Sequence, residues 1–168
     1  MRGVRGRGGP GRVLVGWSVV LCLLGGAGAD AGSRALEDRV PDLRRARVGA
    51  RERLGRPECE AVLADFESVN GGRLDLVLRS TGRTAQEQLD RLVLESGLGR
   101  PLCDRHVSMA FTQVGSTVVS VCPRPFTLLP PTEQEAVLIH EMLHSLGLGE
   151  NPPESVAITA QVLKRCGH

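Results

Sequence analysis

Aromatic side chains are scarce in this chain of 168 residues, which contains no Tyr, one Trp and three Phe. The single Trp, Trp17, lies in an N-terminal segment that we expect to be removed, so the remaining chain has neither Tyr nor Trp. Tyr and Trp are therefore excluded as hydrogen-bond donors at a reaction centre, for which His, Arg, Asn and the backbone are candidates.

The chain also lacks an apolar run of the ~20 residues that a membrane-spanning helix needs. Its N-terminus has four arginines and no acid, then an apolar run from Val13 to Leu24, then the small-residue stretch GGAGADAG. This layout is typical of a secretory signal peptide, with Ala27 and Ala29 as the cleavage-site residues. We assign residues 1–29 to a signal peptide and expect a secreted protein, extracellular or periplasmic; an uncleaved membrane anchor is the alternative.

An excess of basic charge is missing once residues 1–29 are set aside. The remaining 17 Lys and Arg residues face 19 Asp and Glu residues, which gives a net charge of −2. Nucleic acids and anionic membranes are bound by clustered basic residues. We therefore expect no nucleic-acid partner, no membrane partner after signal cleavage, and a monomer. No internal repeat is visible.

Residues 30–56 contain eight arginines, five acids and few large apolar side chains. Such a segment buries too little apolar surface to offset the entropy of ordering, which predicts a linker or a short, helix-prone pro-segment that is disordered. Residues 57–168 remain as one domain of about 110 residues, a size at which disulfides or a metal contribute usefully to stability.

Four cysteines remain after the signal peptide, and an even number in an exported chain predicts two disulfides. Four thiols allow three pairings. We favour Cys103 with Cys122, which would close a loop around a hairpin, and Cys59 with Cys166, which would join the first helix of the domain to the last. Buried free thiols are the alternative.

Apolar periodicity predicts three elements in the first half of the domain. The stretch ECEAVLADFESV after Pro57 has helical spacing and ends at NGG, and Leu74–Leu78 alternates as a strand does. Thr84 and Glu87 form a capping-box pattern that predicts a second helix to about Ser96.

The second half of the domain predicts a β-hairpin followed by two helices. Residues 107–113 and 117–122 are rich in β-forming residues on either side of a Gly-containing turn. A second capping-box pattern, Thr132 with Glu135, predicts a helix that ends at Gly147 and is buried on most of its circumference; a last helix follows from about Glu154 to Cys166. The predicted class is α+β, a small sheet packed on one buried helix with flanking helices.

That buried helix contains the pattern His140-Glu141-x-x-His144. For this composition, chance gives roughly 0.007 such patterns per chain, so coincidence is a poor explanation. Positions four apart lie one above the other on a helix, so both imidazoles can bind one tetrahedral metal ion. The intervening Glu141 can act as a general base on a water molecule that zinc acidifies. Two hydrogen-bonded histidines on a packed helix are the structural alternative.

The motif resembles that of the zincin metallopeptidases, and more narrowly the metzincin-like pattern H-E-x-x-H-x-x-G-x-x-H. Gly147 stands at the position of the pattern's glycine, and Glu150 stands where the pattern has its last histidine. The resemblance covers residues 140–150 and implies a zinc ion bound by His140, His144 and Glu150, with Glu141 as catalytic base. No Met follows Met142, so the Met-turn of the metzincins has no counterpart here.

The resemblance also implies that an extended peptide lies along an edge strand, for which residues 107–113 and 117–122 are the candidates. Glu154 is the rival for the third ligand. His106 could hydrogen-bond to a metal ligand, but a solvated histidine at a strand end is the alternative. Arg124 could polarise a substrate carbonyl, with an ordinary surface arginine as the alternative. His168 is expected to be a free terminal residue.

The sequence thus favours a secreted zinc metallopeptidase that hydrolyses peptide bonds by Glu141-assisted attack of zinc-bound water on a peptide or protein substrate. A secreted, disulfide-stabilised binding or inhibitory domain, in which the metal is structural or vestigial, is the alternative from another class. A metal-dependent hydrolase acting on a non-peptide bond is the third.

Overall fold

The computed structural model describes residues 27–105 and 108–167. The elements before the sheet are, in chain order, α1 (Ala27–Arg39), α2 (Pro41–Leu54), α3 (Pro57–Glu60), a 3-10 helix (Ala61–Asp65), α4 (Leu74–Ser80) and α5 (Ala85–Asp90). They are followed by β1 (Val93–Ser96), α6 (Pro101–Asp104), β2 (Ala110–Thr112), β3 (Val118–Val121), α7 (Pro123–Thr127), α8 (Pro131–Ser145) and α9 (Ser155–Cys166). In these two ranges no helix is both long and apolar enough to span a bilayer.

The three strands form one mixed sheet in the order β1-β3-β2. β2 and β3 are antiparallel, with Phe111 opposite Ser120, and β1 is parallel to β3. The hairpin predicted over residues 107–122 is therefore confirmed for its described residues, and the predicted α+β class is confirmed. At the outer edge of β1, the buried hydroxyl of Ser33 in α1 accepts a hydrogen bond from the Leu94 N–H at 2.8 Å. β2 forms the opposite edge of the sheet.

Helix α8 is the centre of the molecule. Every residue from Leu138 to Ser145 is buried, because α2, α5, α9 and β2 surround the helix. The helix begins one residue before the predicted capping residue, at Pro131, and no side chain caps it. The predicted capping box is wrong because Glu135 instead forms an ion pair with Arg53 of α2.

The expectation that residues 30–56 are disordered is wrong. These residues belong to α1 and α2, and α2 packs directly on α8. The buried residues of α2 are Leu43, Ala46, Ala50 and Leu54, a stripe in which small side chains allow close approach. Large apolar side chains are few in this segment, but these four residues are three or four positions apart, so two alanines and two leucines together form one buried face. Of the predicted signal peptide, residues 1–26 lie outside the described residues.

Two further element predictions are wrong for local reasons. The expected strand Leu74–Leu78 is part of helix α4, whose buried residues Leu74 and Leu78 are four apart rather than alternating. The helix that starts at Thr84 does have its capping box, but it ends at Asp90. The next residues form β1 because they pair with β3, an interaction between residues distant in sequence that overrides local helical spacing. The predicted helix after Pro57 is shorter than expected and continues as the 3-10 helix.

Both predicted disulfides are present. Cys59–Cys166 joins α3 to the end of α9, and Cys103–Cys122 joins α6 to the residue that follows β3. The longer of the two bridges spans 107 residues and holds α9 against the start of the domain.

The packing of α2 predicts that Leu43→Ala lowers the free energy of unfolding by about 2–5 kcal/mol, the usual cost of truncating a buried leucine. Leu43 is 0% exposed, whereas Val48 in the same helix is 53% exposed. Val48→Ala is the matched control and should change stability by less than about 0.5 kcal/mol. Urea unfolding measures both, and equal small effects would contradict the assignment of α2 to the core.

Candidate metal centre

The two histidines of α8 face each other across one turn of the helix. Their Nε2 atoms are 2.8 Å apart, and each ring is 5% exposed. The other nitrogen of each ring has its own partner: His140 Nδ1 lies 2.9 Å from the Thr159 hydroxyl, and His144 Nδ1 lies 2.8 Å from the Leu148 carbonyl oxygen. Both rings are thus fixed by hydrogen bonds at Nδ1, and their Nε2 atoms point at one common position.

The third member of the group, Glu150, is placed by the turn after α8. Gly147 has a φ of +101°, a conformation that other residues adopt at a cost. A side chain there would also meet the Ser68 hydroxyl, because the loop at residues 68–69 pairs with this turn. The Val69 N–H donates to the Gly147 carbonyl at 2.9 Å. The pairing of residues 68–69 with residues 147–148 holds the turn that brings Glu150 back to the histidines.

The distances among the three side chains fit a tetrahedral ion. Glu150 Oε1 lies 3.4 Å from His140 Nε2 and 3.3 Å from His144 Nε2. Ligands about 2.0–2.1 Å from a tetrahedral ion are about 3.3–3.4 Å from one another. The Nε2–Nε2 distance of 2.8 Å is shorter by about half an ångström, a change that small ring rotations would supply. These three residues can hold a metal ion as two nitrogen donors and one carboxylate oxygen.

Glu141 lies beside this group but is not part of it. The residue is 4% exposed, and its Oε2 makes no hydrogen bond to any residue that the structure describes. Burial raises the pKa of Glu141 to about 8, and repulsion from Glu150 adds to this, while the backbone amide of Thr112 opposes it. Burial likewise lowers the pKa of His140 to about 4. A buried carboxyl with an open hydrogen-bonding position is suited to exchanging a proton with a bound molecule.

A cleft of about 310 Å³ opens directly onto these groups. Its walls come from the hairpin, the turn after α8 and the start of α9, and its lining includes Thr112, Glu141, His144 and Glu150. The side chain of Glu150 is 40% exposed, in contrast to the two buried imidazoles. The group is therefore accessible from one side, as a site that admits a ligand must be.

The other candidates from the sequence lie elsewhere. Glu154 is the exposed residue before α9 and does not belong to the group of three. Arg124 lines a separate depression next to the Cys103–Cys122 disulfide. His106 and His168 fall outside the described residues.

Sequence reasoning missed the residues that orient the ligands. For Thr159, the available signal was a polar residue adjacent to the buried stripe of α9, which consists of Ile158, Val162 and Cys166. No sequence pattern indicated that residues 68–69 contact the turn after α8, because the contact is made by backbone groups distant in sequence.

Comparison of the chain with protein-family models, with curated proteins and with solved structures found no match. The interpretation of the site therefore rests on its own geometry.

This geometry predicts that Glu150→Ala weakens metal binding more than about 100-fold, beyond the ~10–100-fold typical of residues that only orient a ligand. Glu154→Ala, which removes the same side chain four positions later, is the matched control and should leave the affinity within a few-fold of wild type. Competition with a chelator of known affinity measures both. The reverse pattern, with only Glu154→Ala losing metal, would move the third ligand to α9.

The buried carboxyl predicts a pH dependence of stability in the metal-free protein. The pKa of Glu141 in the folded chain, about 8, lies above its ordinary value of 4.5. The stabilisation of the folded chain by the protonated carboxyl is fully present below pH 4.5 and is lost as the pH rises through 8. The free energy of unfolding of wild type should fall relative to Glu141→Gln by about 1.4 kcal/mol per pH unit between these values.

Urea unfolding at several pH values, with a chelator present, measures this difference. The variant Glu154→Gln is the control, and its curve should run parallel to that of wild type, because Glu154 is exposed. Parallel curves for wild type and Glu141→Gln would mean that the buried carboxyl is already ionised in the folded chain.

Proposed function

We propose that this protein is a secreted zinc metallopeptidase. The observation that carries the proposal is the convergence of His140, His144 and Glu150 beside the buried carboxyl of Glu141, at the floor of an open cleft. Three candidate ligands, a candidate base and an open cleft together support the proposal, and the four side chains belong to the pattern that resembles the zincin motif.

Zinc is the metal that best suits this donor set. Two imidazole nitrogens and one carboxylate oxygen, with one side open, match the two-histidine, one-glutamate set of catalytic zinc sites. The ligand spacings close to a tetrahedral edge favour zinc over magnesium and calcium, which prefer six or more oxygen ligands.

A zinc ion bound there would acidify a water molecule and polarise a substrate carbonyl. The chain itself supplies the proton transfers. Glu141, which lines the cleft, would take a proton from the attacking water and deliver it to the leaving amine. The burial of this carboxyl by the hairpin and by α8 excludes other solvent from the transfer.

Strand β2 supports a peptide as the substrate. The Cys122 N–H donates to the Met109 carbonyl, and Phe111 is opposite Ser120, so these residues occupy the hydrogen-bonded positions of the ladder. The backbone groups of Ala110 and Thr112 alternate with them and face away from β3, toward the cleft that both residues line. The Thr112 amide is engaged by Glu141 and the Ala110 carbonyl accepts from the Ser108 hydroxyl, which leaves the Ala110 N–H and the Thr112 carbonyl for a peptide. An extended peptide can add to this edge by main-chain hydrogen bonds, with one of its carbonyl groups above the three ligands.

The alternative, a binding or inhibitory domain with a structural metal, fits the site less well. A structural zinc site is closed by a fourth protein ligand. Among the described residues the group has three members and opens onto a cleft, and the buried Glu141 would serve no purpose in a structural site. Secretion is supported by the predicted signal peptide together with the two disulfides, which form in oxidising compartments.

The proposal predicts about one zinc ion per purified chain and hydrolysis of members of a broad peptide library. Glu141→Gln should lower turnover at least about 100-fold, because it removes the general base, while zinc stays bound. Metal analysis and mass spectrometry of the digests measure the two properties separately.

Glu154→Gln is the control and should retain full turnover. Stoichiometric zinc without any peptide cleavage would favour the binding domain or a hydrolase of another bond. Unchanged turnover in Glu141→Gln would remove this residue from the mechanism.

A further inference from the structure

We infer that Thr159 of α9 is a positioning residue that lets His140 change its protonated nitrogen when the metal binds. The inference rests on the metal site of the proposed function, but it does not require peptidase activity. Its basis is an asymmetry between the hydrogen-bond partners of the two imidazoles.

His144 has a partner that permits one tautomer only. The carbonyl oxygen of Leu148 can accept but never donate a hydrogen bond, so the neutral ring of His144 must be protonated at Nδ1. Its Nε2 therefore carries a lone pair with or without a metal. The backbone alone makes this histidine a ready ligand.

His140 faces that lone pair. With its own Nε2 only 2.8 Å from His144 Nε2, two lone pairs would repel each other unless a proton or a cation lies between them. Without a metal, His140 therefore carries its proton on Nε2, where His144 Nε2 at 2.8 Å and the Glu150 carboxylate at 3.4 Å are both placed to accept it. With a metal, the same Nε2 must be unprotonated, and the ring must be protonated at Nδ1.

The Thr159 hydroxyl, 2.9 Å from His140 Nδ1, satisfies both states. It donates to Nδ1 in the metal-free protein and, after rotation about its C–O bond, accepts from the Nδ1 proton in the metal-bound protein. One proton leaves Nε2 for solvent and one is taken up from solvent at Nδ1, so the exchange releases no net proton. A carbonyl or carboxylate at this position would support the metal-bound state alone.

The position of Thr159 is fixed by the packing of α9 on α8. Its neighbours Ile158 and Val162 are fully buried, and the Cys59–Cys166 disulfide holds the end of the helix. The hydroxyl is thus presented to the ring by the core, independently of Glu150 and its loop.

Thr159→Val tests the inference because it replaces the hydroxyl with a methyl group of similar size. Competition with a chelator should show zinc affinity weakened about 10–100-fold, the usual effect of removing a group that orients a ligand. Thr159→Ser should restore the affinity to within a few-fold of wild type. Thr132→Val makes the same change eight positions before His140 in α8 and should have no effect on affinity.

A second measurement needs no variant. Long-range ¹H–¹⁵N spectra of the wild-type imidazoles should place the His140 proton on Nε2 in the metal-free chain and on Nδ1 after zinc is added. The His144 proton should stay on Nδ1 throughout.

Equal zinc affinity in Thr159→Val and wild type, or a His140 proton on Nδ1 before metal is added, would overturn the role of Thr159 while the metal site stands. Failure of wild type to bind zinc would overturn the metal site and the inference together. Zinc binding with the expected tautomers, but without peptide cleavage, would support Thr159 and count against the peptidase.

Discussion

The burial of two imidazoles and one carboxyl on a single helix is the constraint on which the rest of this structure depends. Helix α8 is buried from Leu138 to Ser145, so the side chains of His140, Glu141 and His144 are largely removed from water. A buried polar group without a partner costs about 1–3 kcal/mol. The surrounding elements supply partners from α9, from the turn after α8 and from β2, whereas Glu141 Oε2 has none among the described residues.

Each partner comes from a different part of the chain. The Thr159 hydroxyl reaches His140 because the buried stripe of α9 packs on α8, and the Leu148 carbonyl reaches His144 because Gly147 reverses the chain. The same reversal is held by the backbone of residues 68–69. Metal affinity should thus depend on the packing of the whole domain, including α9, whose end is held by the Cys59–Cys166 disulfide.

The local chemistry of the site could be predicted from the sequence, whereas its supports could not. A spacing of four on a helix predicts that His140 and His144 face one position, and the resemblance to the zincin pattern implied that Glu150 joins them. The packing of α2 on α8 was missed because its buried face uses Ala46 and Ala50, which carry little apolar weight in a sequence. Strand β1 was missed because it exists through pairing with β3, a contact that no local pattern encodes.

Metal binding and the readiness of the base are coupled through the same burial. Without a cation, desolvation and the nearby Glu150 keep the Glu141 carboxyl protonated near neutral pH, in which form it cannot accept a proton. A divalent cation held by His140, His144 and Glu150 would reverse the sign of the local field, since it outweighs the single charge of Glu150, and the pKa of Glu141 would fall. At neutral pH the carboxyl would then ionise mainly where a metal is present, so the protein would carry an ionised base there chiefly in its metal-bound form.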